Sequence, residues 1–250
     1  MVWKRIFGRP AQSRSSKPRT APGARVYAVG DVHGRADLLT RTFAKIDADA
    51  DRHPDKRCQT VLVGDYVDRG PDSSRVIDLL IAREQVQETI PLIGNHEVMM
   101  LQFLDSSDLW DAWAPLGGVQ TLLSYGLRPS QRMSAAQSAE LAKAFAAALP
   151  PRHRAFLARL PYTFESGDYL FVHAGLRPGV PLAKQEFEDL IWIRDEFLNF
   201  KGRFEKVVVH GHTPAEKPEL LPNRINIDTG AFATGHLTCL VLDDDKVNFL

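Results

Sequence analysis

Cysteine is nearly missing from this chain of 250 residues: only Cys58 and Cys239 occur, with no short spacing between them. That excludes a disulfide framework and a cysteine-rich zinc module, and it points to a reducing compartment. Long apolar runs are missing too. None approaches the roughly 20 residues that span a bilayer, and none follows the basic start as a secretory leader requires. The expected location is cytoplasmic, with no membrane span. An excess of one charge is also missing, since 31 Lys and Arg balance 31 Asp and Glu and the sequence pI is near 7.1. Dedicated nucleic-acid binders carry a basic excess, so no nucleic-acid partner is expected. No internal repeat occurs. What remains is an ordinary globular balance, 44% hydrophobic and 25% charged, long enough for a large α/β core.

The neutral total hides an asymmetry. Residues 1–24 carry Lys4, Arg5, Arg9, Arg14, Lys17 and Arg19 and no acid, so this stretch is +6 and the rest −6. The segment Gln12 to Gly23 is rich in Ser, Pro, Arg and Thr, and residues 1–24 are expected to be a disordered tail that could meet an acidic partner or surface. Residues 25–250 are expected to form one domain.

From Arg25 the pattern changes. Arg25 to Val29, Thr60 to Val63 and Thr89 to Ile93 are short apolar runs stopped by Gly30-Asp31, Gly64-Asp65 and Gly94-Asn95. Helical patterns at Leu38 to Ala48 and Ser73 to Ala82 lie between them, the order of βαβ units. In such sheets the ligand site lies beyond the carboxyl ends of the strands, so one edge receives Asp31, Asp65 and Asn95. The middle is helical: Asp108 to Ser124 around a Gly117-Gly118 break, then a capping-box start at Ser134 to Gln137, with Pro150-Pro151 as its stop. This insert covers about 106–160. Strand character returns at Tyr169 to Val172, Lys206 to Val209, Arg224 to Ile227, Leu237 to Leu242 and Lys246 to Phe249.

Five blocks end these runs: Gly30-Asp-Val-His-Gly34, Gly64-Asp-Tyr-Val-Asp-Arg-Gly70, Gly94-Asn-His-Glu97, His173-Ala-Gly175 and Gly211-His-Thr213. Their donors are carboxylate, amide and imidazole, the set that suits a pair of hard or borderline divalent ions with one shared carboxylate. Asp31 and His33 alternate along an extended segment and can reach one ion; Asp65 can bridge, which leaves Asn95, His173 and His212 for the second. No cysteine is present, so a soft thiolate site is excluded.

Together, in this order, the blocks resemble the calcineurin-like metallophosphoesterases, and within them the phosphoprotein phosphatase family, in its lambda-phage and bacterial serine/threonine type. The resemblance spans about residues 25–243. It implies an α/β fold, a β-sandwich flanked by helices with the helical insert over the metal edge. It implies two divalent ions, Mn²⁺ first and Fe or Zn next, with Asp31, His33 and Asp65 on one and Asp65, Asn95, His173 and His212 on the other. Asp68 and His96 match a carboxylate that orients a proton-donating imidazole, and Arg69 and Arg194 match phosphate-binding guanidiniums, whose planar fork suits a phosphoryl dianion. The implied reaction is in-line attack on phosphorus by a metal-bridging hydroxide, and the implied substrate is a phosphorylated protein or peptide.

Each assignment has a plainer competitor. Asp31, Asp65 and Asn95 could be mere helix caps after strands, but three such residues joined by His33, His173 and His212 favour the ligand set. His210 is expected to pack at a strand end, and Arg35 either touches substrate or is solvated. His53, His153 and His236 are expected on the surface, and Trp110, Trp113 and Phe145 in the core of the insert. A symmetrical bis(5′-nucleosyl)-tetraphosphatase is the alternative function, although such enzymes typically depart from Val67-Asp68-Arg69. A non-enzymatic, metal-stabilised binding module ranks third, because every catalytic position is filled.

Overall fold

The structure is a computed structural model, which describes residues 17–130 and 132–250. Strands β1 (Ala24–Val29), β2 (Arg57–Leu62) and β3 (Thr89–Pro91) are parallel, joined by α1 (Ala36–Ala50) and α2 (Ser73–Glu84). Helix α3 (Asn95–Asp105) follows. Beyond the insert come β4 (Thr163–Ser166), β5 (Tyr169–Val172), β6 (Val207–His210), β7 (Glu219–Leu220), β8 (Arg224–Asn226), β9 (Cys239–Asp243) and β10 (Lys246–Phe249). They close two five-stranded sheets, β10-β9-β1-β2-β3 and β4-β5-β6-β8-β7.

Alternation along the strands explains the layers. Val26 and Ala28, Val61 and Val63, and Leu240 and Leu242 of the first sheet meet Tyr169, Phe171, Val209, Ile225 and Ile227 of the second in a core between the sheets. The intervening residues Tyr27, Val29 and Leu62, and on the other side Leu170, Val172 and Val208, face outward into a larger core shared with the helices. The result is a β-sandwich flanked by helices, as expected. No helix among the described residues is long and apolar enough to cross a membrane.

The insert is a chain of short helices: α4 (Trp110–Trp113), α5 (Gly118–Ser124), α6 (Ala135–Ala148) and α7 (Pro151–Leu157). The break expected at Gly117-Gly118 is real, with Gly117 at φ 116°, where a side chain would be strained. Ser134 caps α6 with Gln137 in a capping box. Pro151 does stop α6, but it also starts α7, because proline is tolerated at the first helical position.

That unforeseen helix corrects one expectation. His153 is fully buried rather than on the surface, held between the Tyr125 hydroxyl and Asp78 of α2 at 2.9 Å each. His53 is half-buried and His236 exposed. Residues before Arg25 are also packed: Thr20 is buried, its N–H bonds the Asp244 carbonyl at 3.1 Å, and its hydroxyl bonds the Ala24 carbonyl at 3.0 Å. Arg19 pairs with Asp244. The expectation of disorder over residues 1–16 lies outside the described residues.

Candidate metal centre and active site

The carboxyl ends of the parallel strands of both sheets meet at one edge. A methyl group on Gly30, after β1, would lie 2.3 Å from the Ile227 carbonyl, after β8, so only glycine permits this approach. The peptide N–H of His212 reaches across to Asp31 Oδ2 at 3.0 Å. Backbone strain concentrates here. Among the described residues, the non-glycine residues with positive φ are His33, Asp65, Asp68, Arg69, His212 and Asp244, and all but Asp244, in the β9–β10 turn, belong to the blocks read from the sequence. Left-handed backbone at non-glycine residues costs on the order of 1–3 kcal/mol each and persists where surrounding structure enforces it.

Asp65 is the hub. It belongs to two compact groups, one with His33 and His96 and one with His173 and His212, each with ligand atoms within 4.8 Å of one another. His33 Nε2 lies 3.5 Å from Asp65 Oδ2, and His173 Nε2 lies 3.3 Å from Asp65 Oδ1. Burial works to raise the Asp65 carboxyl, but His173, His96, His33 and His212 around it carry it well below the ordinary range. His33 and His173 pair Nδ1 with the carbonyls of Val67 and Val63, both at 2.8 Å, which turns Nε2 toward Asp65. Burial pulls His33 down to about 3 and His173 down as well. Burial thus favours the neutral imidazole, the state that binds a metal, against the pull of Asp65 toward the charged one. Asn95 Oδ1 lies 2.9 Å from both His173 Nε2 and His212 Nδ1.

Asp31 stands differently from the expected ligand set. It lies outside both compact groups, and His96 takes the third place in the first of them. Burial, then the neighbouring carboxylates of Asp228 and Asp65, push the Asp31 carboxyl well above its ordinary value. Asp31 Oδ1 and His212 Nε2 are buried atoms without a hydrogen-bond partner. Orphaned polar atoms beside crowded carboxylates and imidazoles suit a cation site. The residues present therefore fit two divalent ions, and their hard or borderline donors suit Mn²⁺, Fe or Zn.

His96 and Asp68, the pair expected to donate a proton, lie beside this hub. His96 Nδ1 is 2.6 Å from Asp68 Oδ2, and His96 Nε2 is 3.7 Å from Asp65 Oδ2. Burial works to lower His96, but Asp65 and the hydrogen bond to Asp68 outweigh it and raise it to about 9. Arg69 is half-buried; its Nη2 lies 3.4 Å from His96 Nε2, and its guanidinium rests 4.8 Å from the centre of the Phe232 ring. Arg194 is exposed and donates to Thr213 Oγ1 at 3.1 Å. Both guanidiniums act on Asp228.

Other side chains fall as follows. Arg35 forks onto Asp37 at 2.8 Å and bonds the Ala231 carbonyl at 3.0 Å. His210 is buried against the Phe197 ring, 4.9 Å between centres, as a strand-end packing residue. Trp110, Trp113 and Phe145 pack together with Phe103 in the insert core.

Four contributors escaped the sequence. Glu97 accepts the N–H groups of Asp65, Tyr66, Val67 and Gly94 at 2.7–3.2 Å and so pins the strained loop that carries the hub. Its place three residues after Gly94, reaching back as in a capping box, was the available signal. Phe232, under Arg69, follows Thr229-Gly230 with no pattern of its own. Trp113 and Thr121 both bond Asp68 from the insert.

The description "Calcineurin-like phosphoesterase" belongs to the family model that matches residues 24–237. The chain is 25% identical over 232 residues to an asymmetrical bis(5′-nucleosyl)-tetraphosphatase, PrpE, of Anoxybacillus flavithermus, covering 85% of this chain and 88% of that one. It is 24% identical to serine/threonine-protein phosphatase 2 of Salmonella typhimurium, covering 85% and 90%. A crystal structure of a candidate diadenosine tetraphosphatase superimposes with a TM-score of 0.62 at 22% identity, covering 93% of this chain and 97% of that one.

Proposed function

The chain belongs to the calcineurin-like phosphoesterase family, and on that premise we propose that it is a two-metal phosphomonoesterase that releases phosphate from a phosphorylated serine or threonine side chain. That it is a metal-dependent phosphoester hydrolase follows from the family. The finer reading is carried by one observation: a single proton donor and a single half-buried guanidinium, His96 and Arg69, stand 3.4 Å apart beside the hub carboxylate. A placed proton donor suits an alkoxide leaving group, which needs a proton, better than a phosphate leaving group, which needs little.

Asp31, His33 and Asp65 would hold one ion and Asp65, Asn95, His173 and His212 the other; when bound, the ions supply water activation and shielding of phosphoryl charge. The chain does the rest. Arg69 and Arg194 bind the phosphoryl oxygens and set them for in-line displacement by water. As the phosphorus–oxygen bond breaks, His96 gives its Nε2 proton to the leaving alkoxide, and Asp68 keeps the ring aimed. The insert adds support for a small substrate group, because its large aromatics are spent on their own core and Arg152 is paired with Asp78.

A second reading has its own support. Relatives at this level of identity include asymmetrical tetraphosphatases, whereas the sequence alone raised the symmetrical kind. Trp192 is exposed and stands edge-on to His212, 6.0 Å between ring centres, where a base could stack. The test is turnover of a phosphoserine peptide and of diadenosine tetraphosphate in parallel, with Mn²⁺ added. The phosphopeptide should show the higher kcat/KM. A much higher value for the dinucleotide, lost in Trp192→Ala, would replace the first reading with the second.

A further inference from the structure

We propose that Trp113 and Thr121, both in the helical insert, are positioning residues that fix how Asp68 holds His96, and so decide which imidazole nitrogen delivers the proton. The inference rests on His96 being the proton donor of the proposed reaction.

Asp68 is fully buried and its carboxylate meets three side chains. Trp113 Nε1 donates to Oδ2 at 2.8 Å, the Thr121 hydroxyl donates to Oδ1 at 2.5 Å, and His96 Nδ1 shares Oδ2 at 2.6 Å. An indole N–H can only donate, so it favours the ionised, acceptor-only carboxylate, toward which His96 Nδ1 is a donor. That leaves Nε2 as the nitrogen facing Asp65 and Arg69, where a leaving oxygen would sit. Thr121 meets the carboxylate from the other side. Its oxygen lies 2.8 Å from the Asp68 peptide nitrogen, which Ser73 Oγ shares at 3.0 Å, and 3.1 Å from Ser73 Oγ, so the loop and the carboxylate of Asp68 meet the same hydroxyl.

The insert also braces the backbone. Asp68 and Arg69 have φ of 71° and 66°, and Gly117 packs so closely on them that a methyl there would lie 2.3 Å from Arg69 N. A role in packing alone would need only the Trp113 ring and the Thr121 methyl. Instead the polar atoms of both, eight residues apart in sequence, end on one carboxylate.

The test compares leaving groups. Trp113→Phe and Thr121→Val should each lower kcat on a phosphoserine peptide by about ten-fold or more, the usual worth of a hydrogen bond to a charged group. Loss on p-nitrophenyl phosphate should stay under about three-fold, because its leaving oxygen needs little protonation. Metal content should not change, and Thr121→Ser should restore the alkyl rate. In an Asp68→Asn background, Trp113→Phe should add no further loss. Equal losses on both esters, or losses that multiply in the double variant, would overturn the proposal. If a variant fails to fold, the indole N–H resonances of the otherwise unaltered protein still decide: Asp68→Asn should shift that of Trp113, and an unmoved resonance would contradict the clamp. Should the wild type turn over no phosphomonoester, the functional reading fails, while the indole measurement still judges the hydrogen bond.

Discussion

The strand ends and the helical insert build the same site in opposite ways. The ends of β1, β2 and β6 each contribute a glycine, a ligand-type side chain and a strained turn within a few residues of sequence, as in Gly64-Asp65 and Gly211-His212. The insert contributes two donors, Trp113 and Thr121, from a stretch whose pattern records only helix and core. The strand ends supply atoms that could touch an ion or a phosphate, and such atoms must be of particular kinds. The insert supplies restraint, which any well-placed donor can give. Chemistry therefore leaves a mark in the sequence, and orientation leaves almost none.

That contrast can be broken by substitution. Asp65→Asn should have the largest effect: because Asp65 belongs to both compact groups, metal analysis should show both ions weakened and kcat should fall by about 10³ or more, beyond the loss of a single electrostatic anchor. Retained metal stoichiometry and rate would show that the hub is misplaced. His96→Asn should keep both metals yet lose roughly 10²–10⁴ in kcat, with a smaller loss on aryl phosphates. An equal loss on alkyl and aryl esters would remove the proton-donor role from the strand-end side of the comparison.

Arg194→Ala should act on binding more than on rate. One charge-assisted contact to phosphate is lost, so KM should rise about ten-fold for phosphopeptide and p-nitrophenyl phosphate alike, read from steady-state kinetics. Leu157→Ala, in α7 of the insert, should change turnover least. It leaves a cavity in a core that unites the insert with the helices over the first sheet, costing about 2–5 kcal/mol. Urea unfolding should remain a single transition at a lower midpoint; a separate early transition would make the insert an appendage rather than part of one unit.

Much of the fold could be read from the chain because its strands are short, apolar and stopped by glycine. The parallel βαβ order of β1, α1, β2, α2 and β3 follows from that punctuation, and β10 begins and ends where its pattern does. Helix α3 was invisible because it starts inside a block that reads as a ligand motif, Asn95-His96-Glu97. Helix α7 was hidden by Pro150-Pro151, which looks like punctuation and is also a helix start. His153 was misplaced for the same reason, since a lone histidine in an unrecognised helix carries no signal of burial. The six ligand candidates lie on one edge as expected, except that Asp31 stands apart from the two compact groups. No spacing rule records the burial of Asp31 or the carboxylates of Asp228 and Asp65 beside it.

The central claim is that two divalent ions share Asp65 at this edge. An anomalous-difference map from crystals grown with Mn²⁺ tests it most directly. Two peaks are predicted, one at about 2.0–2.6 Å from atoms of Asp31, His33 and Asp65 and one at the same range from Asp65, Asn95, His173 and His212. A single peak, or a pair that does not share Asp65, would contradict the account.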